Sequence, residues 1–266
     1  MNTIQEEITT IVSSGYAPVN GLEMYYEIHG EGEPLVLIHG GGSTIQTSFG
    51  AILPMLAKKH RTIAVELQAH GHTKDRDTPE SFAQDAADVS ALLQYLEIEK
   101  AHILGFSNGG QTALQMGISY PEQIHKLVII SAFYKKEGAP EGFFEGFPNA
   151  TLKDMPQIYQ DAYLAINNDA DGLQRMFEKD KNRMMHFKGW TDEEISTIKA
   201  HCLIVAGDRD VVTPTHLAEM TQIIPHARLM ILPGTHGSFI GEAMTQIKDS
   251  KLPQLTVEVI EDFLKE

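Results

Sequence analysis

Ala101-His102-Ile103-Leu104-Gly105-Phe106-Ser107-Asn108-Gly109-Gly110 is an apolar strand pattern running into Gly-x-Ser-x-Gly, and a helical pattern follows at Ala113, Leu114, Met116 and Gly117. Glycines flank the serine because a sharp strand-to-helix turn leaves no room for Cβ atoms. Such a turn holds the hydroxyl out at a helix N-terminus, where backbone N–H groups stabilise developing negative charge. The pentapeptide alone is weak: with 22 Gly and 12 Ser, chance supplies it in roughly one chain in ten of this composition. Its setting after an apolar strand and before a helix gives it weight.

Similar apolar runs stand at Leu35-Val36-Leu37-Ile38, Thr62-Ile63-Ala64-Val65, Leu127-Val128-Ile129-Ile130, Cys202-Leu203-Ile204-Val205 and Leu229-Met230-Ile231-Leu232, as in strands buried on both faces. Between them, Phe82, Ala86, Val89, Leu93 and Leu96 repeat at helical spacing. Thr78-Pro79 supplies a cap and a first-turn proline for that helix, and Thr213-Pro214 does so for one starting at Pro214. Val257, Ile260, Phe263 and Leu264 mark a last amphipathic helix, and Val19-Asn20-Gly21-Leu22 reads as a hairpin turn. The alternation predicts an α/β fold: a mostly parallel twisted sheet with helices on both faces.

From Tyr134 to Thr197 no buried-strand run occurs. Of the 20 aromatics, 10 fall between Phe133 and Trp190, where uniform spacing would put roughly four or five. The reading is a core of residues 1–133 and 198–266 with a helical cap, 134–197, inserted between two strands. The aromatics either hold the cap together or line an apolar substrate pocket beneath it. Phe106, Phe143, Phe144, Phe147 and Trp190 are the candidates for that pocket.

The 266 residues suit one large α/β domain or one domain with an insertion, and bury a core without staples. Lys+Arg 21 against Asp+Glu 36 gives a net charge of −15, which argues against nucleic acid and anionic membrane surfaces as partners. No window approaches the apolar length of a membrane span. Met1 to Ala17 carries Glu6 and Glu7 and no Lys or Arg, unlike a secretory signal, so the expected compartment is the cytoplasm. The single Cys202 forms no intrachain disulfide and belongs in a buried strand as a small hydrophobe.

A serine hydroxyl needs a base to act as a nucleophile at neutral pH. Asp208 and Asp210 follow one strand pattern, in Gly207-Asp208-Arg209-Asp210, and His236 follows the next, in Pro233-Gly234-Thr235-His236-Gly237. Loops after strands are where open α/β sheets place ligands.

These residues resemble those of the α/β-hydrolase superfamily, in its small, capped, esterase-like form. The resemblance runs from about Tyr16 to Leu264, and Ser, Asp, His is that fold's chain order. His39-Gly40-Gly41-Gly42 resembles the oxyanion loop, Gly105 to Gly109 the nucleophile elbow, and the loops at Asp210 and His236 those of the acid and base. The turn Glu66-Leu67-Gln68-Ala69-His70-Gly71-His72-Thr73 departs from the family's usual Asp, Arg and first Gly at Glu66, Gln68 and Ala69.

The resemblance implies Ser107 as nucleophile, His236 as general base and acid, and Asp210, favoured over Asp208, as orienting acid, which would leave Asp208 as a turn former. The oxyanion donors would be the backbone N–H groups of Asn108 and Gly41, Gly42 being one residue away. His39 is read as holding the glycine loop. His70-Gly71-His72 lacks the further Asp-His pair a metallohydrolase would want, so no metal and no cofactor are expected. Serine at position 107 disfavours dehalogenase or epoxide-hydrolase chemistry, whose intermediates need a carboxylate.

The implied activity is cleavage of a small ester-like bond (carboxylesterase, lactonase or thioesterase) in a substrate with an apolar portion. Two alternatives keep the triad: a C–C bond hydrolase or haloperoxidase-type perhydrolase, and a small-molecule receptor with slow turnover. Arg175, Lys179, Lys181, Arg183 and Lys188 are candidates to meet an acidic substrate group, though a solvated helix face explains them as well.

Overall fold

A computed structural model describes residues 11–266. Strands β1 (Ile11–Val19) and β2 (Leu22–His29) form an antiparallel hairpin, turned at Asn20 and Gly21 with φ of +47° and +78°. There follow β3 (Glu33–Ile38), the short helices α1 (Ile45–Phe49) and α2 (Leu53–Leu56), β4 (His60–Val65), α3 (Phe82–Tyr95), β5 (Ala101–Phe106), α4 (Asn108–Ser119) and β6 (Ile124–Ile130). Next come α5 (Gln157–Asn167), α6 (Ala170–Met185), α7 (Asp192–Ser196), β7 (His201–Gly207), α8 (Pro214–Ile223), β8 (Ala227–Leu232) and α9 (Leu252–Lys265). The eight strands lie in the order β1-β2-β4-β3-β5-β6-β7-β8. β2 meets β4 antiparallel, and from β4 to β8 every pairing is parallel.

The apolar runs are unbroken because both faces of the sheet are covered. Val36, Ile38, Ile103, Ile129 and Ile204 share a core with Val89 and Leu93 of α3, Leu114 of α4 and Leu217 of α8. Their neighbours Leu35, Leu37, Leu104, Val128 and Val205 face the opposite way, onto Phe49 of α1, Leu56 of α2 and Ile260 and Phe263 of α9. Cys202 is buried in β7. No helix among the described residues is long and apolar enough to cross a membrane.

Thr213 caps α8, its hydroxyl accepting the His216 N–H, and Pro214 opens that helix. The start of α3 differs from expectation. Its cap is Ser81, whose Oγ accepts the Gln84 N–H. Thr78 instead gives its carbonyl to Gln68 Nε2 and Lys179 Nζ, which ties it to the turn after β4. Between β6 and β7 the chain forms α5 to α7 and several 3-10 turns, with no strand. This insertion lies where the C-terminal ends of β3, β5, β7 and β8 deliver their loops.

Candidate active site

Gly105 and Gly109 let β5 turn directly into α4. A Cβ on Gly105 would sit 2.0 Å from the Gly109 carbonyl oxygen, and one on Gly109 would sit 2.0 Å from that of Ile38. Ser107, at the bend, has φ +54° and ψ −122°, a conformation that costs a non-glycine residue of order 1–3 kcal/mol. Its hydroxyl makes no cap hydrogen bond to α4.

The loops after β7 and β8 bring two partners to that hydroxyl. His236 Nε2 lies 3.1 Å from Ser107 Oγ, and its Nδ1 lies 2.7 Å from Asp210 Oδ1. The Asp210 carboxylate also accepts from Ser131 Oγ (2.6 Å) and the N–H groups of Gly207 (3.1 Å) and Val211 (2.7 Å). Burial pushes the Asp210 pKa up, but the bonds to His236, Ser131 and Gly207 outweigh that and hold it below the usual carboxylate value. With a proton on Nδ1 facing Asp210, Nε2 presents its lone pair to the serine. Asp208 turns away and accepts the Gly234 N–H at 2.8 Å.

The glycine loop is held from both sides. His39 Nδ1 donates to the Gly40 carbonyl at 2.7 Å, and its Nε2 accepts the Leu67 N–H at 3.0 Å. Burial drops its pKa to about 3, so it stays neutral. Gly40 N–H donates to Ser48 Oγ, and Gly42 N–H donates to Asp180 Oδ2 at 2.6 Å. Asp180 reaches in from α6, which makes the insertion a direct support of this loop.

Asp180 is the centre of a buried ionic cluster. It accepts from His70 Nε2 at 3.0 Å and pairs with Arg183, which binds Asp85 at 2.7 Å and approaches Glu80 at 3.7 Å. His70 Nδ1 donates to the Gln68 carbonyl, so both ring nitrogens are donors and the ring is an imidazolium. Burial works against that charge, and the Asp180 carboxylate overcomes it, holding His70 at about 9. Burial raises Glu80 to about 8 despite Arg183 nearby, and Asp85 to about 6.

Stability should therefore fall as pH rises. The folded chain keeps protons on His70 and Glu80 that the unfolded chain sheds near the ordinary values of 6.5 and 4.5. The His70 contribution is complete below pH 6.5 and is lost through about 9, while the Glu80 cost grows from pH 4.5 to about 8. Thermal melts from pH 6.5 to 9.5 should show a steadily falling Tm, with a shallower slope in Glu80→Gln. A flat or rising profile would contradict the assignment.

The turn from Glu66 to Thr73 departs from the family pattern and is still closely tied. The Glu66 carboxylate accepts from the His72 N–H (2.6 Å) and the Ile45 N–H (3.3 Å), and meets His72 Nδ1 at 2.8 Å. Ala69 holds φ +64°, a left-handed position that glycine occupies without strain. His70 and His72 face different carboxylates, and among the described residues no group of three His, Cys, Asp or Glu could hold a metal ion.

A cavity of about 310 Å³ opens on Ser107, Gly41 and Asn108. Phe143 and Phe147 line it, together with Phe133, Met155, Tyr159 and Phe177, which the sequence reading did not single out. Three expected pocket residues do not line it. Phe106 is buried with its ring centroid 4.8 Å from that of His236. Phe144 packs among Phe133, Phe147 and Phe187. Trp190 donates to Gln115 Oε1 and lines a separate cavity. Of the five cations, Arg183 is buried in the ionic cluster, which corrects a solvated reading for it, Lys179 binds Asp75 at 2.7 Å, and Arg175 meets Asp169 at 3.3 Å. Lys181 lines the cavity and Lys188 the separate one.

Residues 33–184 match the α/β hydrolase fold family. The chain is 32% identical over 246 residues to the serine hydrolase BPHL of Homo sapiens, covering 85% of this chain and 81% of that one. The chain belongs to the α/β-hydrolase fold family, and it is an enzyme. Among solved structures, the enol-lactonase from Burkholderia xenovorans matches with a TM-score of 0.72 at 21% identity, covering 94% of this chain and 100% of that one. The meta-cleavage product hydrolase CumD from Pseudomonas fluorescens matches with a TM-score of 0.75 at 23% identity, covering 95% and 98%. At these identities the likeness speaks for the fold.

Proposed function

We propose that the enzyme is a cofactor-free serine hydrolase that cleaves a small ester-like bond through an acyl-enzyme. The observation that carries this reading is the chain of contacts from Asp210 through His236 to Ser107, 2.7 Å and 3.1 Å long. His236 Nε2 takes the Ser107 proton as Oγ attacks the carbonyl carbon, while Asp210 stabilises the imidazolium. The oxyanion is received by the N–H of Asn108, the first residue of α4, and by that of Gly41. The Gly40 and Gly42 N–H groups are bound to Ser48 and Asp180, which supports Gly41 as the loop's donor. His236 then gives its proton to the leaving group, and a water deprotonated by His236 releases the acid.

The insertion acts as a cap, and its aromatic wall suits a substrate with an apolar portion. The C–C hydrolase reading draws on the likeness to CumD and keeps the same triad. It is disfavoured because Arg183 and Lys179 are committed to Asp85 and Asp75, Arg175 pairs with Asp169 at the surface, and Lys181, the one of the five that lines the cavity, pairs with Glu178.

The test joins a fluorophosphonate probe with turnover of p-nitrophenyl esters, lactones, thioesters and a ring-fission diketo acid. Labelling at Ser107 with ester or lactone turnover is expected. Preferred turnover of the diketo acid would favour the alternative, labelling without turnover would favour a receptor, and no labelling with no turnover would overturn the serine assignment.

A further inference from the structure

The imidazole of His236 is aimed by its ring contacts and also by its backbone, and the backbone is held by a network that runs into the insertion. Thr245 Oγ1 donates to the His236 carbonyl at 2.8 Å. The turn that carries Thr245 is gathered by Glu242. Its N–H donates to the Gly237 carbonyl at 3.1 Å, its carbonyl accepts the Thr245 N–H at 3.1 Å, and its Oε2 accepts the Met244 N–H at 3.0 Å. Thr245 Oγ1 also lies 3.3 Å from that carboxylate oxygen. The other oxygen, Oε1, accepts the hydroxyl of Tyr159 at 2.7 Å. Tyr159 belongs to α5 and lines the cavity at Ser107. Gly237, with φ +72°, lets the turn close, since a Cβ there would sit 2.7 Å from that of Glu242.

Glu242 is 0% exposed. A buried carboxylate is costly unless its oxygens are hydrogen-bonded, and an apolar side chain would fill the same space more cheaply. What the carboxylate supplies is direction: one oxygen fixes the turn behind His236 and the other fixes α5. Resting on the reading of Ser107 and His236 as nucleophile and base, we propose that Tyr159, Glu242 and Thr245 are positioning residues for His236, and that they make its alignment depend on α5 sitting over the cavity. The 3.1 Å contact from Nε2 to Ser107 Oγ leaves little slack, because misplacing a reacting group by about 1 Å can cost about 10²-fold. With α5 in place the imidazole is held at the hydroxyl. With α5 displaced, Glu242 loses Tyr159 and the turn behind the base loosens. Bond cleavage is thereby tied to closure of the cavity.

The experiment deletes one hydroxyl at each end of the network, in Tyr159→Phe, Thr245→Val and the double variant, each close to isosteric. Well below each variant's Tm, kcat and KM are measured on p-nitrophenyl acetate and p-nitrophenyl hexanoate, together with the second-order rate of fluorophosphonate labelling at Ser107. Each single variant should lose about tenfold in kcat and in labelling rate, with KM within about twofold of wild type and the same loss on both esters. The double variant should fall less than about threefold below the slower single variant, because both deletions slacken one alignment. The proposal is overturned if either single variant keeps wild-type kcat and labelling whatever its Tm, which would mark a purely structural network. It is equally overturned if Tyr159→Phe raises KM and loses only on the hexanoate, which would mark a substrate contact, or if the two losses multiply. Failure of the underlying reading looks different: the wild-type enzyme would not label at Ser107 and would turn over neither ester.

Discussion

Ser107→Ala should lower kcat on any ester the enzyme hydrolyses by about 10⁴-fold to 10⁶-fold while leaving the protein folded. The variant keeps Asn108 at the start of α4, the glycine loop and the whole cavity, so binding survives and KM should change little. It loses the oxygen that forms the new bond, and His236 has nothing left to deprotonate except water. Stability should shift by no more than about 1 kcal/mol, because a single hydrogen bond to His236 is removed. Alanine at φ +54° is about as strained as the serine it replaces. Steady-state kinetics beside a thermal melt separates the two effects, and an alanine variant with full activity and an unchanged fold would refute the assigned nucleophile.

The second large effect is expected at Asp180→Ala. This substitution strands the His70 imidazolium and removes one partner of Arg183, both buried, and takes from the Gly42 N–H its shorter contact, leaving only the 3.1 Å approach to His70 Nε2. Breaking a buried ion pair by deleting one member costs about 3–5 kcal/mol, so Tm should drop by about 10 °C. Activity should suffer as well. With one of its supports beside Gly41 gone, the glycine loop holds the oxyanion site less firmly, and kcat should fall by about 10²-fold. Urea unfolding together with kcat measured well below the variant's Tm checks both parts. An unchanged Tm would mean that the cluster is not what joins the insertion to the core.

Some of this arrangement was legible in the residues and some was not, for physical reasons. The elbow could be read because only glycine fits at positions 105 and 109, where a Cβ would lie 2.0 Å from a backbone oxygen. The sheet could be read because strands covered on both faces leave unbroken apolar runs such as Leu35 to Ile38. Pocket membership could not. Phe106 neighbours Ser107 in sequence, yet the direction in which it leaves β5 places its ring against His236. Trp190 looked like a cap aromatic aimed at substrate, but its indole N–H is tied to Gln115 on α4. Asp180 and Arg183 sit in the run Glu178-Lys179-Asp180-Lys181-Asn182-Arg183, which resembles a solvated helix face. Their partners at 42, 70 and 85 are about a hundred positions or more away, and no local pattern announces such pairs.

The grip of Asp180 on Gly42 and His70 also bears on how this scaffold can be repurposed. It divides the segment between β6 and β7 into a keel and a panel. The keel is α6, fastened to two core loops by charge, and a graft that removes it forfeits catalytic geometry along with binding preference. The panel is the stretch carrying Phe143 and Phe147, which offers a contour that can be resculpted for new molecules while the hydrolytic apparatus keeps its alignment.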